Sequence, residues 1–421
     1  MVACADASDR SWAGFSSVTL VALVVWAVSG CSEARGEFTA DAGGANDGRS
    51  RGRAGGSGGR GALLRSVTTR VVLPALRDFA EQAQGLHQAT KALVESGNDG
   101  TARDAARAAF VTAMDTWQSL EMLQVGPAGV PGIVMGGEGL RDEIYSWPTA
   151  SACRVDQEVV ANGVWSDDFF ERTLVNAYGL DALEYLLFVD GGGNDCPTTL
   201  SINSEGQWAM LASGDVAARR AAYAEAVAGR LLADARALRD AWEPREGDFA
   251  GRLEAGRDPY ASGQEALDGL FAAMFYVDQQ VKDRKLAGPA GISGRCSRTI
   301  CPQDRESLWA NRSKEYVAAN LRALRALYTG GPEHDERSFG FDRLLEEMGA
   351  GELGSELRDG IDRAIEAVEA LDGSLVDALD RDPASVEAAH AAVKGVTDLF
   401  KSQFVTVLNL RVPREGAGDN D

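Results

Sequence analysis

Histidine is nearly absent from this chain: 421 residues contain three, His87, His334 and His390. No HExxH motif occurs, and none of the three has an acidic or histidine neighbour at ligand spacing on an apolar face. That argues against a conventional zinc protease and predicts surface positions for all three. Positive charge is scarce as well, with 42 Lys and Arg against 63 Asp and Glu, a formal net charge of −21. Such a chain repels phosphate backbones and anionic membrane surfaces, so no nucleic-acid partner is expected, whereas cationic ligands suit it. β-Branched residues rarely alternate with polar ones, so strands are not expected. CxxC spacing is missing, which weakens a zinc-ribbon reading. Gly55 to Gly59 fits GxSxG and glycines recur at 136, 137 and 139, but no strand precedes either, so neither reads as a nucleophile turn or a phosphate loop.

One long apolar run is present, Val18 to Val28, and it ends in Val28-Ser29-Gly30-Cys31. It is short for a bilayer span and precedes small residues and a cysteine, the pattern of a bacterial lipoprotein signal with lipidation expected at Cys31. Arg10 is the only base before it, opposed by Asp6 and Asp9, and an uncleaved membrane anchor is the alternative. The expected location is the cell envelope, lipid-anchored and periplasm-facing; Ser32 is compatible with outer-membrane sorting. Export places Cys153, Cys196, Cys296 and Cys301 in an oxidising compartment. Three pairings are open, and Cys296–Cys301 as a local clip with Cys153–Cys196 as a brace is the favoured one.

The organisation read from the chain is a signal over 1–31, a tether over 32–61 with ten glycines and no apolar cluster, an N-terminal helical bundle over 62–245, a C-terminal bundle over 250–413 and a tail over 414–421. The acidity belongs to the folded part, because the signal and the tether nearly cancel. Helical periodicity runs almost throughout. Leu76, Phe79, Ala83, Leu86 and Leu93 follow Pro74, and Phe110, Met114, Trp117 and Leu120 share a second face beyond an Asn98-Asp99-Gly100 turn. Further helices are predicted over 169–189, 217–242, 264–286, 307–328, 341–348, 352–379 and 383–408, with 243–256 as a linker. The fold class is all-α, two packed helical bundles.

Within the 169–189 segment lies a contradiction. Gly179 to Val189 is almost wholly apolar, yet Asp181 and Glu184 share a predicted stripe with Phe170, Leu174, Ala177 and Phe188. Two carboxylates in a core need a metal ion, an arginine or a shared proton. Carboxylates three apart can share a hard cation, with Glu121, Glu306 and Asp115 as candidate additional ligands. The alternative is a buried ion pair with Arg141 or Arg312. A second cluster, Glu306 to Ser313, gathers polar groups around Trp309; Ser307, Arg312 and Ser313, with Tyr185, are candidate pocket residues. Its bland reading is a helix start capped by Asp304 or Ser307.

Several segments in this order carry a resemblance: Val71-Val72-Leu73-Pro74, Trp117 with Glu121, Val125-Gly126-Pro127, Ile144-Tyr145-Ser146-Trp147-Pro148, GLDALEYLLF from Gly179, Lys285-Leu286-Ala287 before Glu306-Ser307, and Val407-Leu408-Asn409-Leu410. Over 68 to about 413 the chain resembles the imelysin family, also called insulin-cleaving membrane protease homologues and historically classed as metallopeptidases. The family signature is GxHxxE, with His and Glu proposed as metal ligands. Gly179 and Glu184 match it, and Asp181 replaces the histidine. The resemblance implies an all-helical fold with a cleft near the signature helix and an association with iron uptake partners. It gives iron or calcium as the favoured metal over zinc, since the substitution swaps a nitrogen ligand for a hard oxygen. A metal-binding envelope lipoprotein with Asp181, Glu184, Glu121 and Glu306 as ligands is the leading expectation, with no catalytic residue assigned. A metallopeptidase using Glu184 and a structural scaffold with Asp181 salt-bridged are the alternatives.

Overall fold

The computed structural model describes residues 55–413 apart from 295, 297, 333 and 334. The apolar run, Cys31 and the tail over 414–421 lie outside the described residues, as does His334. Among the described residues there is no strand, and no helix is long and apolar enough to cross a membrane. His87 and His390 are half-buried, not fully at the surface as predicted.

The first long helix, Leu73–Glu95, starts on Pro74, which suits a position whose N–H has no helical partner, and buries Leu76, Phe79, Ala83, Leu86 and Leu93. Asp99 caps the next, Gly100–Glu121, accepting from the Thr101 N–H at 2.9 Å. These two pack with Leu180–Phe188 and Ser213–Trp242. A second group contains Val277–Ala287, Ser313–Thr329, Gly351–Glu369 and Pro383–Leu399, and the Gly100–Glu121 and Ser313–Thr329 helices join the groups. One hydrophobic core runs through both, from Leu63 to Leu410.

Several boundaries differ from the sequence expectation: the helix expected over 352–379 is split into Gly351–Glu369 and Leu375–Arg381, and the one over 383–408 winds as a π-helix over Phe400–Phe404 between Pro383–Leu399 and Val405–Leu408. The tether was expected to reach Gly61, but a helix already runs over Gly55–Val67 and packs on Phe249–Ala255, Gly263–Met274 and Phe341–Glu347. Its later residues Leu63, Leu64 and Val67 are fully buried, so burial overrides the poor propensity of its glycines. The expected linker over 243–256 contains the Phe249–Ala255 helix, whose Phe249 and Leu253 are core residues; the Phe249 ring lies 4.8 Å from Trp242. The helix expected over 264–286 is α-helical only to Met274, and Val277–Ala287 winds as a π-helix. The helix expected from Ser307 begins at Ser313, and residues 305–312 form a loop.

Candidate functional site

The expected 169–189 helix is interrupted, and the interruption builds the site. Phe169–Arg172 ends early, Leu174 is 66% exposed and a single turn spans Val175–Ala177 before the helix Leu180–Phe188 begins. The single stripe through Phe170, Leu174 and Asp181 therefore does not form. Gly179 supplies the break at φ 90°, and a Cβ there would stand 2.8 Å from the Ile144 carbonyl oxygen. This close approach brings the Ile144–Pro148 segment against the start of the signature helix.

Asp181 and Glu184 are both buried, at 6% and 2% exposure, and among the described residues the ion pairs of Arg141 and Arg312 are made with other carboxylates. Asp181 Oδ2 accepts from the Ser146 hydroxyl at 2.7 Å, while its Oδ1 is buried without a hydrogen-bond partner. Burial pushes its pKa up to about 6 against the pull of the Ser146 hydrogen bond. Glu184 Oε1 accepts three hydrogen bonds from the 305–312 loop: the Trp309 N–H at 2.8 Å, the Ala310 N–H at 2.8 Å and the Ser307 hydroxyl at 2.9 Å. Burial raises Glu184 to about 7, and the nearby Glu306 adds to the shift, although those donors favour the charged form.

Beneath them lies an ammonium that the sequence reading did not single out. Lys285 Nζ is fully buried and lies 2.9 Å from Glu121 Oε2, 2.9 Å from Glu306 Oε1, and 2.8 Å from both Gln118 Oε1 and Asn320 Oδ1. Four acceptors around three N–H bonds leave no donor unmet. The rings of Tyr276 and Trp147 lie 5.5 and 5.7 Å from it. Arg141 adds a second cation to Glu121 at 3.1 Å. Burial alone would raise Glu121, but Lys285 and Arg141 hold it below its ordinary value. Glu306 shares Lys285 with Glu121 and has no second cation, so burial and the negative Glu121 leave it raised. Its Oε1 also accepts from Gln118 and the Tyr145 hydroxyl, each at 2.9 Å; its Oε2 has no partner.

The expected metal set is thus divided. Glu121 and Glu306 converge on an ammonium, not on the Asp181–Glu184 pair, and among the described residues no three His, Cys, Asp or Glu side chains gather as a metal site. Neither expected arginine reaches Asp181: Arg141 binds Glu121, Asp142 and the Trp147 carbonyl, and Arg312 binds Asp115 at 2.9 Å. Asp115 is therefore an ion-pair partner and no neighbour of the acidic pair. Of the expected pocket residues, Ser307 reaches the site only through Glu184, and Ser313 accepts from the Ser307 N–H at 2.9 Å, fixing the loop. Tyr185 faces another buried cluster, donating to Asp156 at 2.6 Å beneath Arg220. Both disulfides follow the favoured pairing, Cys153–Cys196 and Cys296–Cys301.

A cleft of ≈ 340 Å³ opens onto the pair. Asp181, Glu184 and Glu306 line it together with Tyr145, Trp147 and Trp309, and Arg305 lies at the same wall. The Arg305 guanidinium is spent on the carbonyls of Pro302, Ser307 and Leu308 at 2.8–3.1 Å, which shape the loop that holds Glu184. Tyr145, Ser146, Trp147 and Lys285 lie in two of the segments that carry the family resemblance, but nothing in residue type or spacing marked any of them individually as a site residue.

The fold has solved relatives. A structure of an imelysin-like protein from Psychrobacter arcticum 273-4 superposes with TM-score 0.64 at 18% identity, covering 85% of this chain and 97% of that one. A "putative iron-regulated protein A precursor" from Parabacteroides distasonis ATCC 8503 superposes with TM-score 0.62 at 19% identity, covering 83% and 95%. No curated protein matches the chain. The family description Peptidase M75, imelysin, matches residues 72–403, a span that contains the signature helix, the Lys285 cluster and the cleft. This chain belongs to the imelysin family.

Proposed function

We propose that this protein is a lipid-anchored binding protein of the cell envelope whose cleft takes up a positively charged cargo. The observation that carries the reading is Asp181: a buried carboxylate in a cleft wall, with one oxygen lacking a hydrogen-bond partner. Such a group is poorly solvated and gains from any cation that enters. The formal charge of −21 would draw cations toward it. Among metal ions, iron and calcium suit its oxygen donors better than zinc. The likeness to a structure named for iron regulation supports a place in cation uptake, with membrane attachment through Cys31. Metallopeptidase action is the weaker reading, because Glu184, its candidate base, has one oxygen committed to three donors of the neighbouring loop.

Calorimetric titration of the purified protein with ferric citrate, calcium, zinc and organic amines is the test. Saturable binding of at least one cation, weakened at least tenfold in Asp181→Asn, is the expected result. Equal binding by the variant would remove the site assignment. For the anchor, incorporation of a clickable fatty acid should be lost in Cys31→Ser; unchanged labelling would reject it.

A further inference from the structure

We propose that the cargo cation is an alkylammonium, free or carried on a lysine side chain, seated between Asp181 and Glu306 against the rings of Trp147 and Tyr145. The proposal rests on the cation-cleft reading above and names its ligand class. A bare metal ion would need six or more oxygen ligands for calcium, or a fixed octahedron for magnesium. The cleft does not supply that. Among the described residues no three candidate ligands converge, and Glu121 lies behind Lys285. Glu184 Oε1 is committed to the loop.

An alkylammonium has lesser demands. It needs up to three acceptors and gains from aromatic faces within about 6 Å. Two carboxylates of the cleft wall, Asp181 and Glu306, are the acceptors for the first demand. Asp181 Oδ1 and Glu306 Oε2 each lack a hydrogen-bond partner, and both residues line the cleft. Asp181 is 6% exposed and Glu306 4%, so neither oxygen is well served by solvent. Trp147, Tyr145 and Trp309 in the same wall meet the second. The cleft, at ≈ 340 Å³, has the volume of a small-molecule site, not of a single ion.

The protein itself shows how it solvates such a group. Lys285 places an ammonium on Glu306, Glu121 and two amide oxygens, with Trp147 and Tyr276 as its rings. The cleft wall offers groups of the same kinds: the carboxylates of Glu306 and Asp181 and the ring of the same Trp147. Arg284 and Arg305 also line the cleft, offset by Asp283 and Asp304, so the balance of charge there stays negative.

The experiment is calorimetry and tryptophan fluorescence on the full chain with cadaverine, spermidine, a Gly-Lys-Gly peptide, tetramethylammonium, calcium and ferric citrate. Alkylammonium binding that falls at least tenfold in Asp181→Asn and at least threefold in Trp147→Leu, with tetramethylammonium weaker for want of N–H donors, is the expected result. Preference for the amines over the peptide identifies free amines as the source, and the reverse identifies lysine side chains. Thermal melts of both variants check folding, and Asp372→Asn on the surface serves as the unaffected control. Asp181-dependent binding of calcium or iron with no amine binding would overturn this proposal and leave the cation cleft standing. No binding by any cation would overturn both.

Discussion

At the scale of single residues, the two signature carboxylates are held in different ways. Glu184 is solvated by three protein donors, whereas Asp181 accepts from the Ser146 hydroxyl on Oδ2 and has no hydrogen-bond partner at Oδ1. Since Asp181 is pushed from 3.8 to about 6 on folding, the folded chain keeps a proton that the unfolded chain has lost between about pH 4 and 6. Stability therefore falls as pH rises through that window, by about 3 kcal/mol for a shift of this size, and is not regained above it. Asp181→Asn should flatten that slope and raise the urea midpoint at pH 7.5, provided no ligand is present. A bound cation works in the opposite direction by favouring the ionised form. Lys285 behaves differently again. Lys285→Met would leave Glu121 and Glu306 buried around a missing charge, and a loss of about 3–5 kcal/mol in urea unfolding is expected. The acidic pair was legible in the sequence because charges inside an apolar helix announce themselves. Its surroundings were not: Lys285 sits in VDQQVKDRKLA, where charge is so dense that no one residue stands out.

At the scale of elements, two breaks in regular winding place the chemistry. Gly179 ends one run and opens the signature helix, and its close contact with the Ile144 carbonyl leaves no room for a side chain. Gly179→Ala should cost about 1–3 kcal/mol through strain and displace Ser146 from Asp181, read as a lower melting temperature together with weakened cation binding. Val277–Ala287 is the second break. Its i→i+5 winding changes which side chains share a face, so Asp278, Lys282 and Lys285 are all buried on an element that an α-helical wheel reads as amphipathically mixed. Periodicity found the long helices, Leu73–Glu95, Gly100–Glu121 and Ser213–Trp242, because their apolar stripes keep one period throughout. It joined 169–189 into one helix and passed over Phe249–Ala255 for the same reason: positive-φ residues such as Gly179 and Asp248 act through tertiary fit, which one window of sequence does not contain.

At the scale of the molecule, the two helical groups share one core, and the site lies where they meet: the signature helix comes from one group, while Lys285 and the loop on Glu184 come from the other. All-α class and the family resemblance were readable from pattern and segment order; this convergence of distant segments was not, because it is set by three-dimensional packing. The Cys153–Cys196 bond ties the helix before the signature segment to the loop after it, closing a separation of 43 residues. Replacing both cysteines by serine should lower stability by about 2–4 kcal/mol, measured by urea unfolding of oxidised protein beside the wild type.

The helix Gly55–Val67 has its packing partners far along the chain, at Phe249–Ala255, Gly263–Met274 and Phe341–Glu347. During synthesis it emerges early and finds nothing to dock on until most of the polypeptide has followed. The fold therefore closes late, like a ring whose clasp is fitted last.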